Sequence, residues 1–267
     1  MNPTIFSSII NSYLPEPQAA LLNGIIFGIP LRSSKVFYQQ LQIVGLLHLV
    51  VLSGMNITIL AHIVDLFINT FAKKIRLIIT IGCIIGFTLF VGPKPPIVRA
   101  AIMGSLTYIA VLYGRKSTAL VSLLVSVLVI AIAKPEWIKT ISFQLSTGAT
   151  CGIILFGKSK QPESGSKLKQ IIHTIKNDLQ TTLSASVFTV PIIFIYFKQI
   201  SLISPLANIL VSPLIAPLMI FGFATSVLGK ICWFLGLPTA YICYGLLTYM
   251  IFVIDILSKI PGVFLQF

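Results

Sequence analysis

Apolar residues run almost unbroken through most of the chain, and polar residues gather in short intervals between the runs. Long apolar stretches cover residues 41–68, 75–91, 97–113, 119–133, 138–156, 179–197, 202–228 and 231–256. Each is near the roughly 20 residues a helix needs to cross a bilayer, so the pattern predicts an all-α polytopic membrane protein with about eight transmembrane segments. The shortest runs must extend into flanking polar residues or cross only part-way. Ahead of them, residues 18–30 are moderately apolar but interrupted by Asn23, Gly24 and Gly28, a pattern for an N-terminal interfacial or re-entrant helix. The expected organisation is a 1–40 N-terminal segment followed by a 41–267 helical membrane domain, with one long polar loop at 158–178. Within residues 204–218, Pro205, Pro213 and Pro217 each lack an amide donor. They predict a broken helix, of the kind that lines a cavity or pathway, or else a kinked packing helix.

Composition agrees. Of 267 residues, 56% are hydrophobic and 9% charged, with a mean hydropathy of +0.99, which excludes an ordinary soluble domain. Lysine and arginine number 19 against 6 acidic residues. The loops after the first, third, fifth and seventh runs carry the larger share of these cations, so the positive-inside rule places them in the cytoplasm and both termini outside. No positive n-region with a cleavable apolar core opens the chain, and the spans themselves are expected to direct insertion. Cys83, Cys151, Cys232 and Cys243 lie in apolar runs without paired spacing and read as small buried hydrophobes. No cofactor and no metal centre is expected.

Two motifs fail on context. Residues 152–159, GIILFGKS, match the phosphate-cradling pattern G-x-x-x-x-G-K-[ST], yet that loop must follow a strand and open a helix, whereas here it ends a hydrophobic helix. Ser53 and His48 suggest an intramembrane hydrolase. Five residues apart on one helix, they stand about 7.5 Å and about 140° from each other, so Ser53 would need His62 or His173 as its base, or a break at Gly54. The six carboxylates are scattered, and no enzyme activity is expected from this chain.

Polar side chains inside the runs carry more weight. On a helix His48, Asn56 and Ser53 project at about 0°, 80° and 140°, one broad polar arc. Arg99 lies just inside a span, Phe143, Gln144 and Ser146 belong to the sequence FQLS, and Asn208 sits among the prolines. Singly, each suits interhelical hydrogen bonding, and Arg99 is close enough to a helix end to snorkel. Together they suit a hydrophilic passage.

In order and content these segments resemble the membrane competence domain of ComEC-type competence proteins. The resemblance rests on Gly45, His48, Leu49, Ser53 and Gly54; on Arg99 to Met103; on Gly114 and Arg115; on Pro135 with Phe143 to Ser146, Ala149 and Gly152; and on the segment holding Asn208. Family members commonly have a histidine soon after the serine-glycine pair, where this chain has Met55 and Asn56. The resemblance implies a channel or permease subunit that passes single-stranded DNA across a bacterial cytoplasmic (inner) membrane, its path lined by His48, Ser53, Asn56, Arg99, Phe143, Gln144, Ser146 and Asn208. Membrane lipids and separate DNA-binding, nuclease or motor proteins are the implied partners. Relatives often add an oligonucleotide-binding-like and a metallo-hydrolase domain; the sequence has no histidine-aspartate cluster of the latter kind, so strand degradation is expected on another polypeptide. A net charge of +13 suits an anionic strand, since lysines and arginines at a pore mouth attract its phosphates while aromatics such as Phe143 stack bases. A transporter of a small anion or metabolite uses the same cavity and stands as the alternative.

Overall fold

The computed structural model describes residues 3–31, 33–47, 54–114, 118–157, 167–262 and 264–266. Its helices are α1 (Pro3–Tyr13), α2 (Gln18–Phe27), α3 (Lys35–Val44), α4 (Gly54–Phe67), α5 (Lys73–Val91), α6 (Pro95–Leu112), α7 (Ala119–Ala133), α8 (Ile141–Phe156), α9 (Lys167–Phe197), α10 (Ser204–Ile231) and α11 (Trp233–Ser258). A 3-10 turn at Pro135–Lys139 precedes α8. Strands β1 (Gln199–Ser201) and β2 (Phe264–Gln266) pair antiparallel, with Ile200 opposite Leu265. Among the described residues five helices are long and apolar enough to cross a membrane: α5, α6, Lys176–Phe197 of α9, α10 and α11; α2, α4, α7 and α8 are shorter apolar helices. Large apolar side chains such as Phe67, Ile132, Ile195, Phe234 and Phe252 stand exposed on the outside of these helices, as a surface facing lipid requires. The protein is a helical multi-pass membrane protein.

One core gathers the two ends of the chain. Ile10 of α1, Leu21, Leu22, Ile25 and Ile26 of α2, Leu41 of α3, Val211, Ile215 and Leu218 of α10, and Leu247, Met250 and Ile254 of α11 pack together. Because lipid tails are as apolar as leucine, close packing rather than escape from water drives such contacts. A second, smaller core joins Ile57 and Ala61 of α4, Ile84 and Phe87 of α5, and Ile97 and Ala101 of α6. The remaining long helix, α9, packs on α8, and at Gly152 the two backbones meet: a Cβ added there would strike the carbonyl oxygen of Ser184.

At four places the helices differ from the bare hydropathy pattern. The first apolar run, 41–68, is not one helix: α3 stops at Val44, Gly45 takes a left-handed conformation (φ 75°), and α4 begins at Gly54. A side chain at Gly45 would also lie 2.8 Å from Ser204 Cβ, so both backbone sign and space select glycine there. The segment at residues 204–218 is not broken: α10 runs continuously with Pro213 and Pro217 inside it. Pro213 stands on the exposed side, opposite the buried stripe of Ala207, Val211 and Ile215, so its ring and the carbonyl it leaves unbonded avoid the packed face. The polar loop 158–178 is shorter than expected, since α9 already begins at Lys167. Leu168, Ile171, Ile172, Ile175 and Leu179 recur at helical spacing, and that period outweighs the lysines between them. Finally, the division at residue 40 falls within α3, and the N-terminal segment shares its core with α10 and α11.

Helix α2 is buried from Ala19 to Phe27, which an amphipathic interfacial helix would not be. Ten residues long, it spans about 15 Å, half of a bilayer core, and so fits the re-entrant alternative. Its last carbonyls must find donors inside the protein. Gly28 and Ile29 bond back to Gly24 and Asn23, Pro30 can donate nothing, and the rest falls to side chains from α4 and from the turn before α6.

Candidate functional site

Those side chains are Asn56 and Lys94. Asn56, 2% exposed, donates from Nδ2 to Ile25 O at 2.7 Å. Lys94 donates from Nζ to Gly28 O at 2.7 Å, placing a cation at the negative end of a buried half-helix. Asn56, expected to line a passage, is thereby fastened to α2.

Arg99 is the centre of the second polar group. Lys94 is extended, and Pro95 and Pro96 open α6, which sets Arg99 about one turn into the helix. It is 4% exposed. Its Nη1 donates to Thr150 Oγ1 of α8 at 2.6 Å and lies 3.4 Å from Met103 Sδ. Its Nη2 packs on Gly54, 3.3 Å from where a Cβ would stand, with Ala100 Cβ at 3.0 Å, so a side chain there would press on its neighbours. Thr150 passes its own proton to Ser146 O at 2.9 Å, leaving its lone pairs for the arginine. Arg99 Nε has no partner. The short helices α4 and α8 thus meet α6 at one guanidinium.

Among the described residues no carboxylate meets it. The ion pairs among the described residues are Arg76 with Asp65 (2.9 Å) and Lys259 with Asp255 (2.6 Å). A hydroxyl and a thioether orient a guanidinium without neutralising it. A charge at membrane depth costs about 3 kcal/mol or more when unpaired, so the arrangement is one an anion would complete.

The other expected residues are dispersed. Phe143 is buried, at 3% exposure, and offers no open face on which a base could stack. Gln144 reaches Ile138 O at 3.4 Å and ties α8 to the turn before it. Ser146 joins the Arg99 group through its carbonyl. Asn208 makes no bond to that group; its Oδ1 is buried without a partner on α10, one turn beyond the Ser204 that packs on Gly45. His48 and Ser53 lie outside the described residues. His62 is exposed on α4 and His173 sits 3.2 Å from Asn177, so neither is bonded to the Arg99 group. Cavities among the described residues lie elsewhere. One, of about 290 Å³, lies among Tyr13, Trp233, Tyr241 and Tyr244; another, of about 480 Å³, lies along α8 and α9.

Sequence reasoning missed Thr150 and Lys94. Thr150 follows Phe143 and Ser146 at i+7 and i+4, the same helix face, and that spacing was the available signal. Lys94 had none, because its partner is a backbone carbonyl far away in sequence.

The family model for "Competence protein" matches residues 25–267. The chain is similar to "ComE operon protein 3" of Bacillus subtilis (strain 168), with 23% identity over 226 residues covering 83% of this chain and 28% of that relative. The chain therefore spans less than a third of the relative's length. No solved structure matches it. With the family model extending from within α2 to the end of α11 and β2, the chain belongs to the Competence protein family.

Proposed function

We propose that the chain is the membrane-embedded part of a bacterial DNA-uptake system and passes single-stranded DNA across the cytoplasmic membrane. The observation that carries this reading is Arg99, a buried guanidinium bonded by Thr150 and Met103 and left without an acidic partner, at the junction of α4, α6 and α8. Family membership supplies the direction of the reading. So does the similarity to ComE operon protein 3 of Bacillus subtilis.

The physics of the cargo is demanding. Moving one phosphate charge into low dielectric costs on the order of 20 kcal/mol in the idealised limit, so a strand crosses only beside water and fixed positive charge. Arg99 provides one such charge, with its orientation set beforehand by the Thr150–Ser146 relay. In the arrangement described above Arg99 is enclosed, so a strand reaches it only after α4 and α8 draw apart around it. Work to move the strand, and any cleavage of it, comes from separate proteins.

Proteoliposomes loaded with labelled single strands test the reading. Protein-dependent passage should occur, should be competed by polyphosphate, and should resist competition by phosphate or sulfate. If small anions are carried and strands are not, the small-anion transporter takes its place.

A further inference from the structure

Of the five long spans, Lys176–Phe197 is the least enclosed: 6% of its apolar window is buried inside the protein, against 17–39% for the others. Its exposed side is not smooth. A cavity of about 480 Å³ opens along it, lined by Phe156 of α8 and by Lys176, Leu179, Gln180, Leu183, Ser184 and Val187 of α9. The close approach of α8 and α9 at Gly152 and Ser184 forms its floor, and Gln180 Nε2 donates to Phe156 O at 3.2 Å, closing its side.

The lining has an order. Lys176 is exposed at the polar end of the span. Below it Leu179, Leu183 and Val187 form a stripe at helical spacing, each 38–51% exposed, with the half-exposed ring of Phe156 beside them. From Lys176 to Val187 an α-helix rises about 16 Å, close to the depth of one leaflet in a hydrocarbon core ~30 Å thick. The nearest carboxylate in sequence, Asp178, lies about 200° round the helix from Lys176 and faces away. Lys158, Lys160, Lys167 and Lys169 precede the span in sequence.

We propose that this groove is a binding site for an anionic phospholipid, with the phosphodiester headgroup at Lys176 and one acyl chain along Leu179, Leu183 and Val187 against Phe156. Charge and length both select this occupant. The groove is cationic only at headgroup level, apolar below it, and one leaflet deep. A second protein helix would match the apolar stripe but would not use Lys176, whereas a lipid phosphate pairs with it at the level where the span ends. The site is separate from the Arg99 group and independent of the proposed strand passage.

Native mass spectrometry of the purified full chain tests it, with phosphatidylglycerol and phosphatidylcholine of equal acyl length supplied together. Wild type should retain phosphatidylglycerol in preference, and Lys176→Gln should reduce that preference about fivefold while keeping some of each lipid. Leu183→Trp, which fills the groove and leaves Lys176 in place, should lose both lipids, with circular dichroism reporting that the helices persist. Equal retention of the two lipids by wild type, an undiminished preference in Lys176→Gln, or a change of oligomeric state in Leu183→Trp would each overturn the proposal, the last by making this face a contact between copies.

Discussion

Replacing Arg99 by methionine separates a structural role from a transport role. Methionine is flexible enough to follow the arginine stem between α4, α6 and α8, and it removes both the charge and the 2.6 Å bond to Thr150. Losing a hydrogen bond from a charged group costs about 2 kcal/mol. Removing an unpaired charge from membrane depth returns about 3 kcal/mol. The two nearly offset, so the fold should change in stability by no more than about 1 kcal/mol, a melting shift of about 3 °C for a chain of this size. Transport should respond differently. If a phosphate takes the place of the missing counter-ion during passage, losing that contact removes about 2 kcal/mol from a transient state, roughly a thirtyfold drop in strand flux. The assays are thermal unfolding in detergent and strand uptake in the same proteoliposomes. Arg99→Lys should fall between, since it keeps the charge and loses the planar fork. Normal uptake by the methionine variant would refute the role given to Arg99. A collapse of its melting temperature would equally refute the energetic reasoning, by showing that the guanidinium holds the helices together.

Two further substitutions address the frame around that residue. Asn56→Leu leaves Ile25 O, buried at the end of α2, without the donor it has at 2.7 Å, and should destabilise the protein by about 1–3 kcal/mol in reversible unfolding. Gly152→Val places three carbons where the Ser184 carbonyl passes; α8 and α9 cannot then keep their spacing, and limited proteolysis should cut the α8–α9 pair first.

The lipid-spanning class and several helix limits were legible because they rest on local hydropathy. The run 119–133 is the extent of α7, and the run 75–91 falls two residues short of α5 at its start. What failed depended on partners distant in the chain. Proline content left a break and a packing helix equally open near Pro213, and the stripe that α10 presents to α11 and α2 decides for the continuous helix. Residues 41–68 looked like one span because a single glycine is a weak signal, and only contact with Ser204 shows why Gly45 must turn the chain. At the site, a solitary arginine in an apolar run was visible as an anomaly. Its partners were not, since Thr150 and Gly54 reach it from helices on either side in sequence.

The enclosure of α2 imposes an order on biogenesis. This segment is synthesised before the helices that wall it in, α10 and α11. Until they insert, its end carbonyls and Asn23 have neither their cover nor their full set of neighbours, and the nascent chain must wait half-assembled at the translocation site. The membrane domain therefore closes around α2 only once α10 and α11 are in place, and a product lacking α11 should be degraded rather than accumulate as a smaller working version.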